Sequence, residues 1–382
     1  MRLLFVIGTR PEVIKSFPVI EALRRCQGIQ LMVCVTAQHR HLLDQAMDLV
    51  GLSADFDLHL MRPKTTLTEL TCDALDALSD VIERTRPDCV LVQGDTTTTF
   101  AGALAAFYHK TPVAHIEAGL RTGSLLSPWP EEGNRRIVST IADLHFAPTE
   151  QARENLIQEN VPPSRIHVTG NTVVDALLEI RQRLENANYL SPSIAPIVTE
   201  AAKHERRIIL ITAHRRESWG HGIQRICTIA GRLAERDDVQ IVVPVHPNPN
   251  VAGPIREKLA DQERISLLEP LDYLSFVDLM RRSYLILTDS GGIQEEAPTF
   301  GIPVLVLRDR TERPEGVLAG VARLVGHDPD RVTAEAHRLL ENATEYLSMK
   351  RAVNPYGDGA AALRIANIFE NALRANRQSV CV

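Results

Sequence analysis

Short runs of aliphatic and β-branched residues recur through the first half of the chain, at 3–7, 31–36, 89–93, 113–117, 144–147 and 166–169. Most are followed by stretches whose apolar positions return every three or four residues, at 12–25, 40–50, 68–84 and 149–159, the period of a helix with one buried face. Strands alternating with helices predict a parallel sheet. The scheme repeats at 208–212, 239–245, 265–269, 284–288, 303–307 and 322–325, with one intervening helix carrying Ile223, Ile226, Ala230 and Leu233 on a single face. Two sheets of about six strands each are expected. Between them lies 176–206, whose middle, NANYLSPSIAPIV, has little periodicity and contains Pro192 and Pro196; the domain boundary is placed there. Ile365, Ile368, Phe369 and Ala372 predict a last helix over about 360–375 that would fit either domain. The fold class is therefore α/β, with two doubly wound parallel-sheet domains. Such sheets bind ligands beyond the carboxyl ends of their strands, so the chemistry is sought in those loops and in a cleft between the domains.

Composition narrows the function. With 382 residues, 44% of them hydrophobic, the chain exceeds one ordinary core. A net charge of −6 and a pI near 6.1 argue against nucleic acid or an acidic membrane as partner. Six scattered cysteines without a CxxC pair read as core filler in a reducing compartment. The first apolar run stops at Gly8-Thr9-Arg10-Pro11, too short for a signal or a membrane span, so a cytoplasmic protein is expected. Neither GxGxxG nor GxxxxGK[ST] occurs, nor HExxH or a cysteine-histidine cluster, so no cofactor and no metal are expected.

The loops carry the candidate chemistry. In GTRPEVIK (8–15), Gly8-Thr9 suits a tight turn and Pro11 a first helical position, and Arg10 and Lys15 would bracket an anion at the helix start. An ordinary turn with a solvated lysine is an equal alternative. QGDTTTTFAG (93–102) and HIEAGLRTG (115–123) put Asp95 and Glu117 at the ends of neighbouring strands, and SPWPEEGNRR (127–136) adds Glu131 and Glu132. Each acid alone could be a cap or a first-turn charge. Together they suggest acid-base work, because crowded carboxylates raise one another's pKa. TAHRRESWG (212–220) places His214 at a strand end, suited to a departing phosphate, with His246 a weaker candidate. Phe276 would meet a base ring or, with Leu279 and Met280, simply pack as core. In LTDSGGIQEEAP (287–298), Ser290-Gly291-Gly292 is a phosphate seat at a helix start. Glu296 stacks one turn above Gly292, where ribose hydroxyls would donate to it, while Glu295, rotated about 100° away, reads as a first-turn charge. RDRTERPEGV (308–317) adds Arg308, Arg310 and Arg313, and the YxxxK spelled by Tyr346 and Lys350 reads as a solvated helix face.

Taken in order across nearly the whole chain, GTRPEVIK, TAQHRHLLDQ, GDTTTTFAGALAAFY, HIEAGLRTG, SPWPEEGNR, TGNTVVDAL, AHRRES, LTDSGGIQEEAP, TERPEGV and NPYGDG resemble the non-hydrolysing UDP-N-acetylglucosamine 2-epimerases. The resemblance implies two Rossmann-like domains in the GT-B arrangement: 1–172 joined by the terminal helix 360–382, and 173–359. It implies a homodimer, a UDP-sugar ligand, and interconversion of UDP-GlcNAc with UDP-ManNAc for surface polysaccharide. It assigns Asp95, Glu117, Glu131 and His214 to catalysis, and Arg10, Lys15, Leu271, Phe276, Ser290, Gly291, Gly292, Glu296 and Arg313 to the substrate. Leu271 stands where some members have Gln, Gln93 where many have His, and Ala213 where many have Gly. Of the residues that bind a second, activating UDP-GlcNAc in some members, Gln38 and His39 match, whereas His41 and Lys64 replace Gln and Arg, so weaker activation is expected. An epimerase of a related sugar such as a 2,3-diacetamido uronic acid, a hydrolysing epimerase, a GT-B glycosyltransferase and a non-catalytic UDP-sugar sensor are the alternatives.

Overall fold

The computed structural model describes residues 1–36, 40–60, 65–213, 221–311 and 313–380. Two compact units result, one of Met1–Ala176 with Tyr356–Val382 and the other of Leu177–Pro355. In the first, β1 (Arg2–Ile7), α1 (Arg10–Arg25), β2 (Gln30–Val35), α2 (Arg40–Val50), β3 (Phe56–Asp57) and α3 (Leu67–Thr85) lead to β4 (Cys89–Gln93). Then come α4 (Thr97–Tyr108), β5 (Val113–Ile116), α5 (Glu131–Ile141), β6 (Leu144–Ala147), α6 (Glu150–Gln158), β7 (Ile166–Val168) and α7 (Thr172–Asn186). The strands are parallel in the order β3-β2-β1-β4-β5-β6-β7.

The second unit opens with α8 (Ala195–Lys203), β8 (Arg207–Thr212), α9 (His221–Leu233), β9 (Val239–Pro244), α10 (Pro249–Leu259), β10 (Ile265–Leu268) and α11 (Tyr273–Arg282). It continues through β11 (Leu285–Thr288), α12 (Gly291–Glu296), β12 (Val304–Val306), α13 (Pro314–Leu318), β13 (Ala322–Leu324), α14 (Pro329–Glu341) and α15 (Ala343–Lys350). Its parallel order is β10-β9-β8-β11-β12-β13. Strand order reverses between β1 and β4 in one sheet and between β8 and β11 in the other, the switch points at which doubly wound sheets take ligands. Ile209 and Ile211 of β8 join one core while Ile208 and Leu210 join another on the opposite face. Period-two exposure to two buried faces is why this strand reads as an unbroken apolar run.

Several expectations need correction. The first sheet has seven strands among the described residues, because β3 is two residues long and too short to show a period. The weakly periodic stretch after 176 is largely helical, with Pro196 in the first turn of α8, where a missing amide costs nothing. Tyr346 is buried and stacks on Tyr284 at 3.9 Å, so it does not face solvent. Cys72 is exposed, unlike the buried Cys34, Cys89 and Cys227. The final helix, α16 (Ala361–Val380), belongs to the first unit, where it packs on α1.

Candidate active site

Three loops of the first unit gather at the carboxyl ends of β1, β4 and β5. Gly8 ends β1 where only glycine fits: a Cβ there would lie 2.0 Å from Thr98 Oγ1 and 2.7 Å from Thr36 Oγ1. Past β4 the chain turns through Gly94 at φ +76°. His115 fixes that turn, its Nε2–H donating to the Gly94 carbonyl at 2.7 Å. Burial holds the His115 imidazole down to about 4, so it is neutral. Past β5, Glu117 takes φ +63°, a left-handed conformation unusual for a side-chain-bearing residue and one that points to function.

Each acid has its own setting. Asp95 Oδ2 accepts from Arg135 Nε at 2.9 Å and Nη2 at 2.6 Å, while Asn134 Nδ2 donates to the Asp95 carbonyl at 2.8 Å. Arg135 also donates from Nη1 to Glu132 Oε2 at 3.1 Å; Glu132 is fully buried and accepts further from Arg136 and from the Thr122 amide. Glu117 accepts from Lys15 Nζ at 2.5 Å, Gln93 Nε2 at 2.7 Å and Asn171 Nδ2 at 3.3 Å. Glu131, the first residue of α5, keeps Oε2 buried with no hydrogen-bond partner among the described residues. Asp95 and Glu131 line one cavity of about 250 Å³ together with Thr9, Thr96 and Asn134. Asp95 is matched by Arg135 and Glu117 by Lys15, while Glu131 has one buried oxygen with no hydrogen-bond partner among the described residues. The first unit therefore brings together Arg10, Lys15, Asp95, Glu117 and Glu131, in or beside the loops that end β1, β4 and β5.

In the second unit, Ser290 follows β11, and its amide donates to Thr288 Oγ1 at 2.9 Å; Thr288 in turn meets Thr212 of β8 at 2.7 Å across the switch point. A Cβ at Gly292 would lie 3.8 Å from Glu296 Oε1 and 3.9 Å from Ser290 Oγ, so these three share one face, and Gly292 is exposed on it. Glu295 departs from the expected first-turn charge: it is 2% exposed and ion-paired with Arg313. The neighbouring Gln294 accepts from Thr311 Oγ1 at 2.6 Å, so α12 anchors the loop before α13 through two buried side chains. Leu271 and Phe276 pack half-buried on this unit's core. His214, Gln38, His39 and Lys64 lie outside the described residues, as does the side chain of His41.

Sequence reasoning named Glu132 among the acids but passed over His115, Arg135, Asn134 and Asn171. A signal existed for Arg135: it stands three residues after Glu132 on one helix face, the spacing of an ion pair.

The family model for UDP-N-acetylglucosamine 2-epimerase matches residues 21–370. The UDP-N-acetylglucosamine 2-epimerase of Salmonella typhimurium is 51% identical over 375 residues, covering 97% of this chain and 99% of that protein. A crystal structure of the UDP-GlcNAc 2-epimerase of Neisseria meningitidis bound to UDP-GlcNAc matches with TM-score 0.86 and 48% identity, over 97% of this chain and 99% of that one. A co-structure of S. aureus MnaA with UDP matches with TM-score 0.86 and 44% identity, over 98% and 97%.

Proposed function

The chain belongs to the UDP-N-acetylglucosamine 2-epimerase family, and from that premise we propose that it reversibly inverts C2 of UDP-GlcNAc to give UDP-ManNAc. The observation that carries the reading is the cavity where Asp95 and the unpartnered, buried Glu131 Oε2 meet. The proton on C2 of a pyranose has no adjacent carbonyl, so its loss requires either oxidation of a neighbouring carbon or a cationic C1, and the second route is the one proposed. The C1–O bond breaks with its electron pair going to UDP, a carboxylate takes the C2 proton, and a 2-acetamidoglucal forms beside bound UDP. Protonation of C2 from the opposite face, with return of the diphosphate oxygen to C1, completes the inversion.

Asp95, Glu117 and Glu131 handle the protons in this reading, and Arg10, Lys15 and His214 steady the departing diphosphate, where preorganised charge is most effective. The nucleotide is assigned to Ser290, Gly291, Gly292, Glu296, Phe276, Arg313 and the Leu271 backbone, with Gly292 supporting phosphate and Glu296 the ribose. The protein works as a cytoplasmic homodimer that supplies ManNAc units for surface polysaccharide. Exposed Phe107, Tyr108, Leu125, Leu126, Trp129 and Ile137 support self-association, and among the described residues no helix is long and apolar enough to cross a membrane. Gln38, His39, His41 and Lys64 remain the proposed activator contacts.

Incubation with UDP-GlcNAc in deuterated water, followed by NMR, tests the reading. UDP-ManNAc carrying deuterium at C2 is expected. Free ManNAc would mean a hydrolase, and absence of exchange would leave a related-sugar epimerase, a glycosyltransferase or a sensor.

A further inference from the structure

The loops after β1 and β4 meet at the switch point of the first sheet, and one side chain joins them. Glu12, in the first turn of α1, is only 4% exposed. Its Oε2 accepts from the amides of Gly8 at 2.8 Å and Thr9 at 2.7 Å and from Thr9 Oγ1 at 3.0 Å. The contacts to Thr9 are an ordinary capping box, which accounts for one oxygen. The other oxygen turns to a different element: Oε1 lies 2.6 Å from Thr96 Oγ1 and 3.0 Å from Thr99 Oγ1, at the start of α4 and directly after Asp95.

The hydroxyl hydrogens around Glu12 Oε1 are fewer than its contacts call for. Thr99 Oγ1 lies 2.7 Å from the Gln93 carbonyl oxygen as well as 3.0 Å from Glu12 Oε1. A hydroxyl carries one hydrogen and a carbonyl none, and so close an O···O approach is favourable only with a proton in it. Thr99 therefore donates to Gln93, and Thr96, whose hydroxyl lies 2.6 Å from Glu12 Oε1 and 3.3 Å from Thr99 Oγ1, donates to the nearer Glu12. The remaining contact between Glu12 and Thr99 needs a proton from the carboxyl group itself. Burial acts in the same direction: desolvation raises the Glu12 carboxyl above its ordinary range and outweighs the hydrogen bonds it receives from Thr96, Gly8 and Thr9.

We propose that Glu12 is a protonated, uncharged positioning residue that ties the turn leading to Arg10 and Lys15 to the turn carrying Asp95. The cationic and acidic parts of the first unit's site then keep a fixed separation. This also accounts for the run of threonines at 96–99: Thr96 and Thr99 serve Glu12, and Thr98 meets Thr36 at 2.8 Å over Gly8. The activity readout rests on the epimerase reading; the protonation state does not.

Three variants and one spectrum test the proposal. In Glu12→Gln the amide donates to both threonine oxygens without a charge, and kcat and Tm should stay close to wild type, with kcat changed by no more than about threefold. Glu12→Ala and Glu12→Asp break the tie, and kcat should fall about 10- to 100-fold, as expected when reacting groups drift by about an ångström, with UDP affinity by calorimetry changed much less. An infrared difference spectrum at neutral pH between the unliganded wild type and Glu12→Gln should show a carboxylic-acid carbonyl band in the wild type. Glu12→Gln as damaged as Glu12→Ala, or no such band, would overturn the uncharged assignment, and full turnover in Glu12→Ala would overturn the positioning role. A wild type that binds UDP without turning over would count against the epimerase reading and leave the spectrum and the Tm series to test Glu12.

Discussion

Arg135 presents three nitrogens of one guanidinium to two carboxylates, Nε and Nη2 to Asp95 and Nη1 to Glu132. A planar fork does this at fixed angles; a lysine ammonium would be a single mobile point charge. Arg135→Lys should therefore keep the local charge yet lose the orientation of Asp95, lowering kcat about 10- to 100-fold with UDP affinity little changed. Asp95→Asn tests the proton role more directly: C2 deuterium exchange should vanish while UDP still binds by calorimetry, and near-normal turnover would remove Asp95 from the chemistry. The placement of these groups was only partly legible in the sequence. Strand-end acids can be read because an apolar run fixes where a strand stops, so Asp95 and Glu117 stood out. Glu132 was visible as an acid but its pairing with Arg135 was not, because both lie within one charged run at 131–136, and the buried pairing of Glu295 with Arg313 spans 18 positions, beyond any local period.

Histidines at matching positions of adjacent strands give the β5–β6 pair a predictable acid response. His115 and His145 are in register and both are buried. Burial lowers His115 to about 4; burial, and then the neighbouring charge of His115, lower His145 to about 3. Unfolding returns each ring to about 6.5, so below that pH the unfolded chain binds protons that the folded protein refuses. Their contribution is whole above about pH 6.5 and is lost as the pH falls toward 4 for His115 and 3 for His145, at about 1.4 kcal/mol per pH unit per ring. His145→Leu removes one of these protons. Denaturant unfolding between pH 6.5 and 4 should then show an acid limb shallower by about that slope, and an unchanged limb would mean that His145 is already charged in the folded state. At this scale the sequence was most informative, because strands buried on both faces and helices with one buried face leave distinct periods. It was least so where an element is two residues long, as in β3, or where a proline opens a helix, as in α8.

The chain as a whole closes on itself: it leaves the first unit within α7, builds the second, and returns at Tyr356 to complete the first. The return is anchored at three levels. The Asn171 amide donates to the Tyr356 carbonyl at 2.7 Å. Asp175 in α7 caps α16, accepting from the amides of Ala362 at 2.9 Å and Ala361 at 3.3 Å, which satisfies helix-end donors that no carbonyl reaches. Arg364 clasps Asp358 and donates to the Thr169 carbonyl at 2.9 Å. Beyond these, Ile365, Ala366 and Phe369 are buried, with Phe369 6.0 Å from Phe146 of β6. The apolar spacing foretold the helix but not its destination, since an amphipathic face specifies burial and not the surface that buries it. Removing the Phe369 ring should cost about 3–5 kcal/mol, the range for emptying a buried aromatic site. Because the Phe369 and Phe146 rings both belong to the first unit, Phe369→Ala should weaken hydrogen-exchange protection in peptides from β1, α1 and β6 while leaving β8 to β11 near wild type. Equal loss across both sheets would mean that the two units unfold as one, and that the returning helix stabilises the whole chain and not only the unit it completes.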